Sequence, residues 1–170
     1  YAKKSLARLG VAPLRFIRSV AAALSPQLME EIESLFNVPV IQTFGMTEAG
    51  PLITTNLLPP APRKPGSVGP SCGPEIRIEA PDGTPLPSGE IGEVAVRGEN
   101  VVAGYEDAPE ANAHSFRGGW FHMGDLFVRN PDGTLDFVDR AKYLIKSGGE
   151  NIYPAEIEAA LIERKQRVEL

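Results

Sequence analysis

A single cysteine, Cys72, in 170 residues leaves no partner for an internal disulfide, so a cystine-stapled secreted module is excluded and a reducing compartment is expected. Long apolar runs are absent as well: none approaches the roughly 20 residues needed to cross a bilayer. The opening stretch, YAKKSLARLG, lacks the apolar core of a secretory signal. The net charge is −5, which argues against a nucleic-acid surface, since such a surface needs clustered Lys and Arg to displace counterions. No GxxxxGK run followed by Ser or Thr occurs, which removes the P-loop phosphate cradle. Neither an internal repeat nor a low-complexity tract is evident. The expectation is a cytoplasmic protein with no membrane span and no nucleic-acid partner.

What is present reads as a soluble globular domain, or a piece of one, long enough to bury a core: 42% of residues are hydrophobic and 23% charged. Gly 17 and Pro 16 imply many turns and short strands. Leu14–Val20 reads as a short buried strand. Ser25-Pro26 then starts a helix, Ser capping free N–H groups and Pro losing nothing at the first position. Leu28, Ile32 and Leu35 form its expected apolar face, and the helix ends near Asn37. Val38–Thr43 is the next strand. Pro51–Pro74, dense in Pro and Gly, reads as a surface connection.

From Glu75 the period becomes two. Ile76 and Ile78 alternate with Glu75, Arg77 and Glu79; Val94 and Val96 alternate with Glu93, Ala95 and Arg97. Phe127–Arg129 and Leu135–Val138 flank a turn at Asn130–Gly133 and make a hairpin. This middle part predicts a small antiparallel barrel or sandwich. Tyr143–Lys146 and Asn151–Tyr153 flank a Gly148-Gly149 turn, and Pro154 opens a last helix with a stripe of Ile157, Ala160 and Leu161.

Four segments carry the chemistry: TFGMTEAG (Thr43–Gly50), GEIGEVAVRG (Gly89–Gly98), GGWFHMGDL (Gly118–Leu126) and DRAKYLIKSGGENIYPAEIE (Asp139–Glu156). In the first, Gly45 permits close backbone passage and Phe44 offers a flat apolar face to a purine. Thr47 supplies a hydroxyl for a phosphate oxygen. Glu48 supplies a hard oxygen suited to Mg²⁺ shared with nucleotide phosphates. The second segment, continued as ENVVAGY, has glycines and alternating valines and is assigned to architecture. In the third, Asp125 is expected at the end of a tight turn, its carboxylate able to accept from two vicinal ribose hydroxyls. His122, beside Trp120 and Phe121, reads as packed rather than catalytic; His114 is unassigned. In the fourth, Arg140 presents planar donors matched to ribose or carboxylate oxygens.

Order and spacing of these segments resemble the adenylate-forming superfamily of acyl-CoA synthetases, luciferases and adenylation domains, over about residues 14–163. The resemblance implies a fold of α/β plus β class. The edge of an α/β layer and a small β-barrel would end a large N-terminal domain, followed by the start of an α+β lid. Residues 1–60 would close the α/β subdomain, 61–139 form the barrel, 140–142 the hinge, and 143–170 begin an incomplete lid domain. Ala21 and Ala22 would wall the adenine, with Val20 standing where the family usually has Gly. Phe44, Gly45, Met46 and Thr47 would contact the nucleotide, Phe44 replacing the usual Tyr. Glu48 would hold Mg²⁺, and Asp125 with Arg140 the ribose. Met123 stands where the family commonly has Thr, and Tyr143 where Asp often follows the hinge residue, Lys142. Ser147, Gly148 and Gly149 would line the channel for the pantetheine arm of coenzyme A.

The resemblance thus implies an AMP-forming acyl-CoA ligase that takes a small-molecule carboxylic acid, ATP, Mg²⁺ and coenzyme A. The string SGGENIYPAEIE is nearest to the fatty-acid and aryl-acid CoA ligases. The family's Ser/Thr/Gly-rich phosphate loop and its C-terminal catalytic Lys have no counterpart here, and Lys165 lacks the expected flanking pattern. The chain is therefore expected to be an internal stretch of a longer enzyme and nearly inert alone. Three alternatives remain: an enzyme that loads a carrier protein, a truncated non-catalytic binding module, and an unrelated β-rich binding domain.

Overall fold

The computed structural model describes residues 14–22, 24–147 and 150–168. Strand β1 (Ile17–Ser19) lies parallel to β2 (Val40–Phe44), and the helix α1 (Pro26–Phe36) supplies the crossover that a parallel pair requires. The Ser25 Oγ accepts from the Leu28 N–H at 3.2 Å, Pro26 sits in the first turn, and Asn37 closes the helix in the left-handed region. Both ends agree with the sequence expectation. The buried face does not. Met29 is buried, whereas Leu28 and Leu35 are 46% and 47% exposed. A polar contact sets this rotation: Glu33 Oε1 accepts from the Val40 N–H at 2.7 Å and pairs with Arg63, so Met29 and Glu33 turn toward the sheet together.

The second unit is a five-stranded antiparallel sheet: β4 (Glu75–Glu79), β5 (Ile91–Arg97), β6 (Phe116–Arg117), β7 (Trp120–Arg129) and β8 (Leu135–Arg140). The ten-residue β7 is its spine, paired with β5 on one side and in turn with β6 and β8 on the other. Gly118 and Gly119 join β6 to β7 with φ of +59° and +77°, the pair of positive values that a two-residue hairpin turn of this hand demands. A short helix, α2 (Pro109–Ser115), precedes β6; the sequence reading had no helix there.

Residues 51–74 are a surface connection only in part: residues 57–60 and 71–73 are exposed, but 53–56 and 67–69 enter the core. Ile53, Thr54, Asn56, Ser67 and Val68 are all buried, and β3 (Thr54–Thr55) pairs with β2. Burial is tolerated because the polar groups are satisfied. Thr54 Oγ1 donates to the Val68 carbonyl at 2.9 Å, and Ser67 Oγ donates to the Leu135 carbonyl at 2.7 Å. The backbones of Val68 and Gly69 exchange hydrogen bonds with Leu135. One apolar core results, containing Ala49 and Ile53 from the first unit with Val68, Ile78, Val94, Val96, Phe121, Phe127 and Leu135.

After β8 come a one-turn segment (Ala141–Tyr143), the hairpin β9 (Ile145–Ser147) and β10 (Glu150–Ile152), and helix α3 (Pro154–Val168). Asp139 ties this part to the sheet, its carboxylate accepting from the Arg140 N–H at 2.7 Å and the Ala155 N–H at 3.1 Å. Ile157 and Leu161 are exposed, so the described residues leave the expected stripe of α3 uncovered. No helix among the described residues is long and apolar enough to cross a membrane.

A Cβ on Gly69 would lie 2.2 Å from the Thr55 carbonyl oxygen, at a φ of +83°. Gly69→Ala should therefore destabilise the protein by roughly 3 kcal/mol, lowering Tm by about 6–12 °C. A calorimetric Tm equal to the wild-type value would refute the close approach at this seam.

Candidate active site

Parallel β1 and β2 end side by side, Ser19 in register with Gln42, so the Ala21–Ala22 corner and the Phe44–Glu48 loop leave the sheet at the same edge. Such an edge, at the carboxyl ends of parallel strands, is where open α/β sheets hold ligands. Ala21 and Ala22 are both exposed, and Ala21 adopts φ +72°, a conformation that costs a non-glycine residue about 1–2 kcal/mol.

Within the loop, Gly45 serves the chain itself: a Cβ there would fall 1.7 Å from the Pro51 carbonyl oxygen. Phe44 and Met46 pack against the core, Phe44 meeting Phe127 edge-on with centroids 4.8 Å apart. Thr47–Ala49 forms a single tight turn. Ala49 is fully buried and anchors it, leaving Thr47 exposed and Glu48 partly so.

Three hydrogen bonds from the segment after β5 hold this turn. Asn100 Nδ2 donates to the Ala49 carbonyl at 2.7 Å, the Val102 N–H to the Glu48 carbonyl at 2.8 Å, and the Tyr105 hydroxyl to Glu48 Oε1 at 2.8 Å. Burial and then the Glu48 carboxylate push the Tyr105 phenol above its ordinary pKa, so it remains a donor at neutral pH. By sequence alone the Tyr105 stretch reads as architecture. A contact spanning 57 residues leaves no local signal by which it could have been found.

Asp125 lies within β7 rather than at the end of a turn. Between the pairs Ala95↔His122 and Glu93↔Leu126, β7 carries two more residues than β5, and Gly124 takes up the irregularity at φ +72°. The Gly124 N–H donates to Glu93 Oε1 at 3.1 Å. Asp125 stands opposite Arg140 in β8, and is only 3% exposed. Its Oδ1 lies 3.2 Å from Arg140 Nε, while among the described residues no N–H or O–H donates a well-formed hydrogen bond to it. Burial raises its pKa; the positive charges of Arg140 and Lys142 oppose that rise without cancelling it. A carboxylate of this kind has acceptor capacity to spare for a ligand with adjacent hydroxyls.

The structure thus brings Asp125, Arg140 and Lys142 together, and the Phe44–Phe127 contact packs the Thr47–Glu48 loop against the strand that carries Asp125. Lys142 is exposed in the Ala141–Tyr143 turn, its Nζ 4.9 Å from the Tyr143 ring centroid. Ser147 is exposed on β9; Gly148 and Gly149 lie outside the described residues. His122 is packed, as expected, with Nε2 3.1 Å from the buried Glu79 carboxylate. A cavity of about 630 Å³ opens beside Gly50, Cys72 and Asn100; Thr47, Glu48 and Asp125 are not among its walls.

A raised Asp125 pKa means that the folded state loses stability as pH rises through the carboxylate range and the buried group ionises. Asp125→Asn should therefore raise the Tm of the ligand-free protein at pH 7 by about 2–4 °C, the equivalent of ~1 kcal/mol, with a smaller gain at pH 4. Thermal melts at the two pH values check this; a lower Tm at pH 7 would mean that the Arg140 pairing outweighs burial.

The sequence matches the family model for AMP-binding enzymes over residues 2–106. It is 45% identical over 150 residues to oxalate–CoA ligase of Arabidopsis thaliana, covering 88% of this chain and 29% of that protein. It is 44% identical over 156 residues to sulfoacetate–CoA ligase of Cupriavidus necator, covering 90% and 31% respectively. Among solved structures, O-succinylbenzoate coenzyme A synthetase from Bacillus subtilis, in complex with ATP and magnesium ion, matches with a TM-score of 0.79 at 37% identity, over 96% of this chain and 35% of that one. The chain spans about a third of the length of these relatives. A family model matching more than half of the sequence, relatives at 44% and 45% identity and a shared fold lead to one assignment: the chain belongs to the AMP-binding, adenylate-forming enzyme family.

Proposed function

We propose that the protein carrying this chain is an AMP-forming acyl-CoA ligase. The observation that carries the reading is Asp125, a buried carboxylate short of hydrogen-bond donors, set beside Arg140 on a strand packed against the Thr47–Glu48 loop. Its two oxygens would accept the ribose hydroxyls of ATP, with Arg140 completing the contact. Ala21, Ala22 and Phe44 would border the adenine, with Gly45 and Met46 in the same loop, and Thr47 would donate to a phosphate. Among the described residues no group of three or more His, Cys, Asp or Glu side chains is placed to hold a metal ion by itself. That fits Mg²⁺, which is held by one or two carboxylates together with substrate phosphates rather than by a full protein cage. Glu48 would supply the carboxylate, and the cation would offset charge on the phosphates.

In the first step a carboxylate oxygen of the acid attacks the α-phosphorus, and pyrophosphate leaves with the bonding electron pair. In the second the thiolate sulfur of coenzyme A attacks the acyl carbon, and AMP departs. Hydroxide, a poor leaving group, is thereby replaced by AMP. Lys142, in an exposed one-turn link, would be the pivot between the residues 1–139 and the lid beginning at 143, and Ser147 with Gly148 and Gly149 would face the thiol. Within 1–139, residues 1–60 are proposed as the end of the α/β subdomain and 61–139 as the barrel. The single cysteine supports a cytosolic setting. Support for coenzyme A over a carrier protein comes from the relatives named as CoA ligases, whose acids differ.

The intact protein should catalyse acid-dependent exchange of pyrophosphate into ATP. Asp125→Ala is expected to raise KM for ATP tenfold or more, through loss of up to two charge-assisted hydrogen bonds worth about 1.5–3 kcal/mol each. An unchanged KM would sink the ribose assignment. Product formation with a phosphopantetheinylated carrier, but not with free coenzyme A, would move the protein to the carrier-loading class.

A further inference from the structure

The segment between β5 and β6, residues 98–115, makes three hydrogen bonds to the Thr47–Gly50 turn. Two go to backbone carbonyls, of Ala49 and Glu48, and fix where the turn lies. The third differs in kind. The Tyr105 hydroxyl reaches a side-chain oxygen, Glu48 Oε1, at 2.8 Å, on a residue otherwise open to solvent on one side.

Tyr105 is itself held with unusual completeness. Asn112, on α2, accepts from the Tyr105 N–H through Oδ1 at 2.7 Å and donates through Nδ2 to the Tyr105 carbonyl at 2.8 Å, so one side chain clamps both backbone polar groups. A Cβ on Gly104 would come within 3.1 Å of the Asn112 side chain, which keeps the clamp close. The Tyr105 ring meets Phe116 edge-on at 5.7 Å, and Phe116 stacks on the core residue Phe121 at 4.8 Å. The constraint therefore runs from the core through Phe116 and Tyr105 to a single carboxylate oxygen. A surface glutamate whose only role was solvation would need none of this.

We infer that Tyr105 is the positioning residue for Glu48, holding its carboxylate in one rotamer so that Oε2 is presented to a divalent cation. This rests on the reading of Glu48 as the Mg²⁺ ligand. Among the described residues no hydrogen bond is made to Oε2, which leaves that oxygen for the cation, while Oε1 is occupied by the phenol. An unanchored glutamate must lose its rotamer freedom when it binds a cation; here that loss has already occurred on folding. Asn112 acts one step further back, by fixing Tyr105.

The test uses the intact protein and titration calorimetry of ATP binding across a series of Mg²⁺ concentrations, with thermal melts alongside. Tyr105→Phe keeps the ring and removes the hydroxyl. It should raise the Mg²⁺ concentration for half-maximal ATP binding about tenfold, with Tm within about 1 °C of wild type and KM for the acid unchanged. Asn112→Ala should shift the same midpoint in the same direction. A lower Tm with an unmoved Mg²⁺ midpoint in Tyr105→Phe would make the bond a tether of the loop and overturn the inference. Glu48→Gln separates this failure from that of the underlying reading. If Glu48→Gln weakens Mg²⁺-dependent binding and Tyr105→Phe does not, only the positioning role falls. If Glu48→Gln leaves it intact, the metal-ligand reading falls, and the positioning role with it.

Discussion

The molecule depends on a seam of satisfied polar groups between its two sheets. Thr54, Asn56 and Ser67 are buried, yet each gives its side-chain proton to a backbone carbonyl: those of Val68, Ser67 and Leu135. At the same place Gly69 passes within van der Waals distance of the Thr55 carbonyl, an approach that no other residue permits. Because these bonds are made, two short parts of a proline- and glycine-rich stretch, around residues 53–56 and 67–69, can enter the interior. Because it does, Ile53 and Val68 reach Phe127 and Leu135, and a two-strand edge and an antiparallel sheet share one core.

The proposed site is a consequence of that shared core. Its parts come from strands that belong to different sheets, the Thr47–Glu48 turn from the end of β2 and Asp125 from the middle of β7. Phe44 against Phe127 sets their separation, and Ala49 pins the turn from beneath. Two local features run against stability: the left-handed backbone of Ala21 and the buried, under-bonded charge of Asp125. Both lie at the proposed nucleotide site, and binding sites are where a protein is expected to tolerate strain and desolvation. Asp139 plays a quieter part. By capping the N–H of Ala155 it joins the sheet to the hairpin-and-helix segment across the exposed Ala141–Tyr143 turn.

The local elements were legible in the residues. Ser25, Pro26 and Asn37 define α1 by chemistry that acts within one turn, and the alternation of Ile76, Ile78, Val94 and Val96 defines strands for the same reason. The proposed roles of Asp125, Arg140 and Glu48 rest on the order of their motifs. What was missed depends on distance. The rotation of α1 follows from Glu33 meeting Val40 and Arg63, not from its apolar spacing. Gly124 before Asp125 suggests a turn, but pairing with Arg140 and the irregularity opposite Val94 make Asp125 part of a strand.

Residue type and short-range order therefore determined which groups can accept, donate or coordinate, since these are properties of a side chain and its nearest neighbours. Tertiary structure alone decided that Asp125 is buried and short of donors, that Ile53, Thr54, Asn56, Ser67 and Val68 are interior, and that the Tyr105 hydroxyl closes on Glu48. Those facts are differences in desolvation and contact between segments many tens of residues apart. They come into being only when the shared core closes.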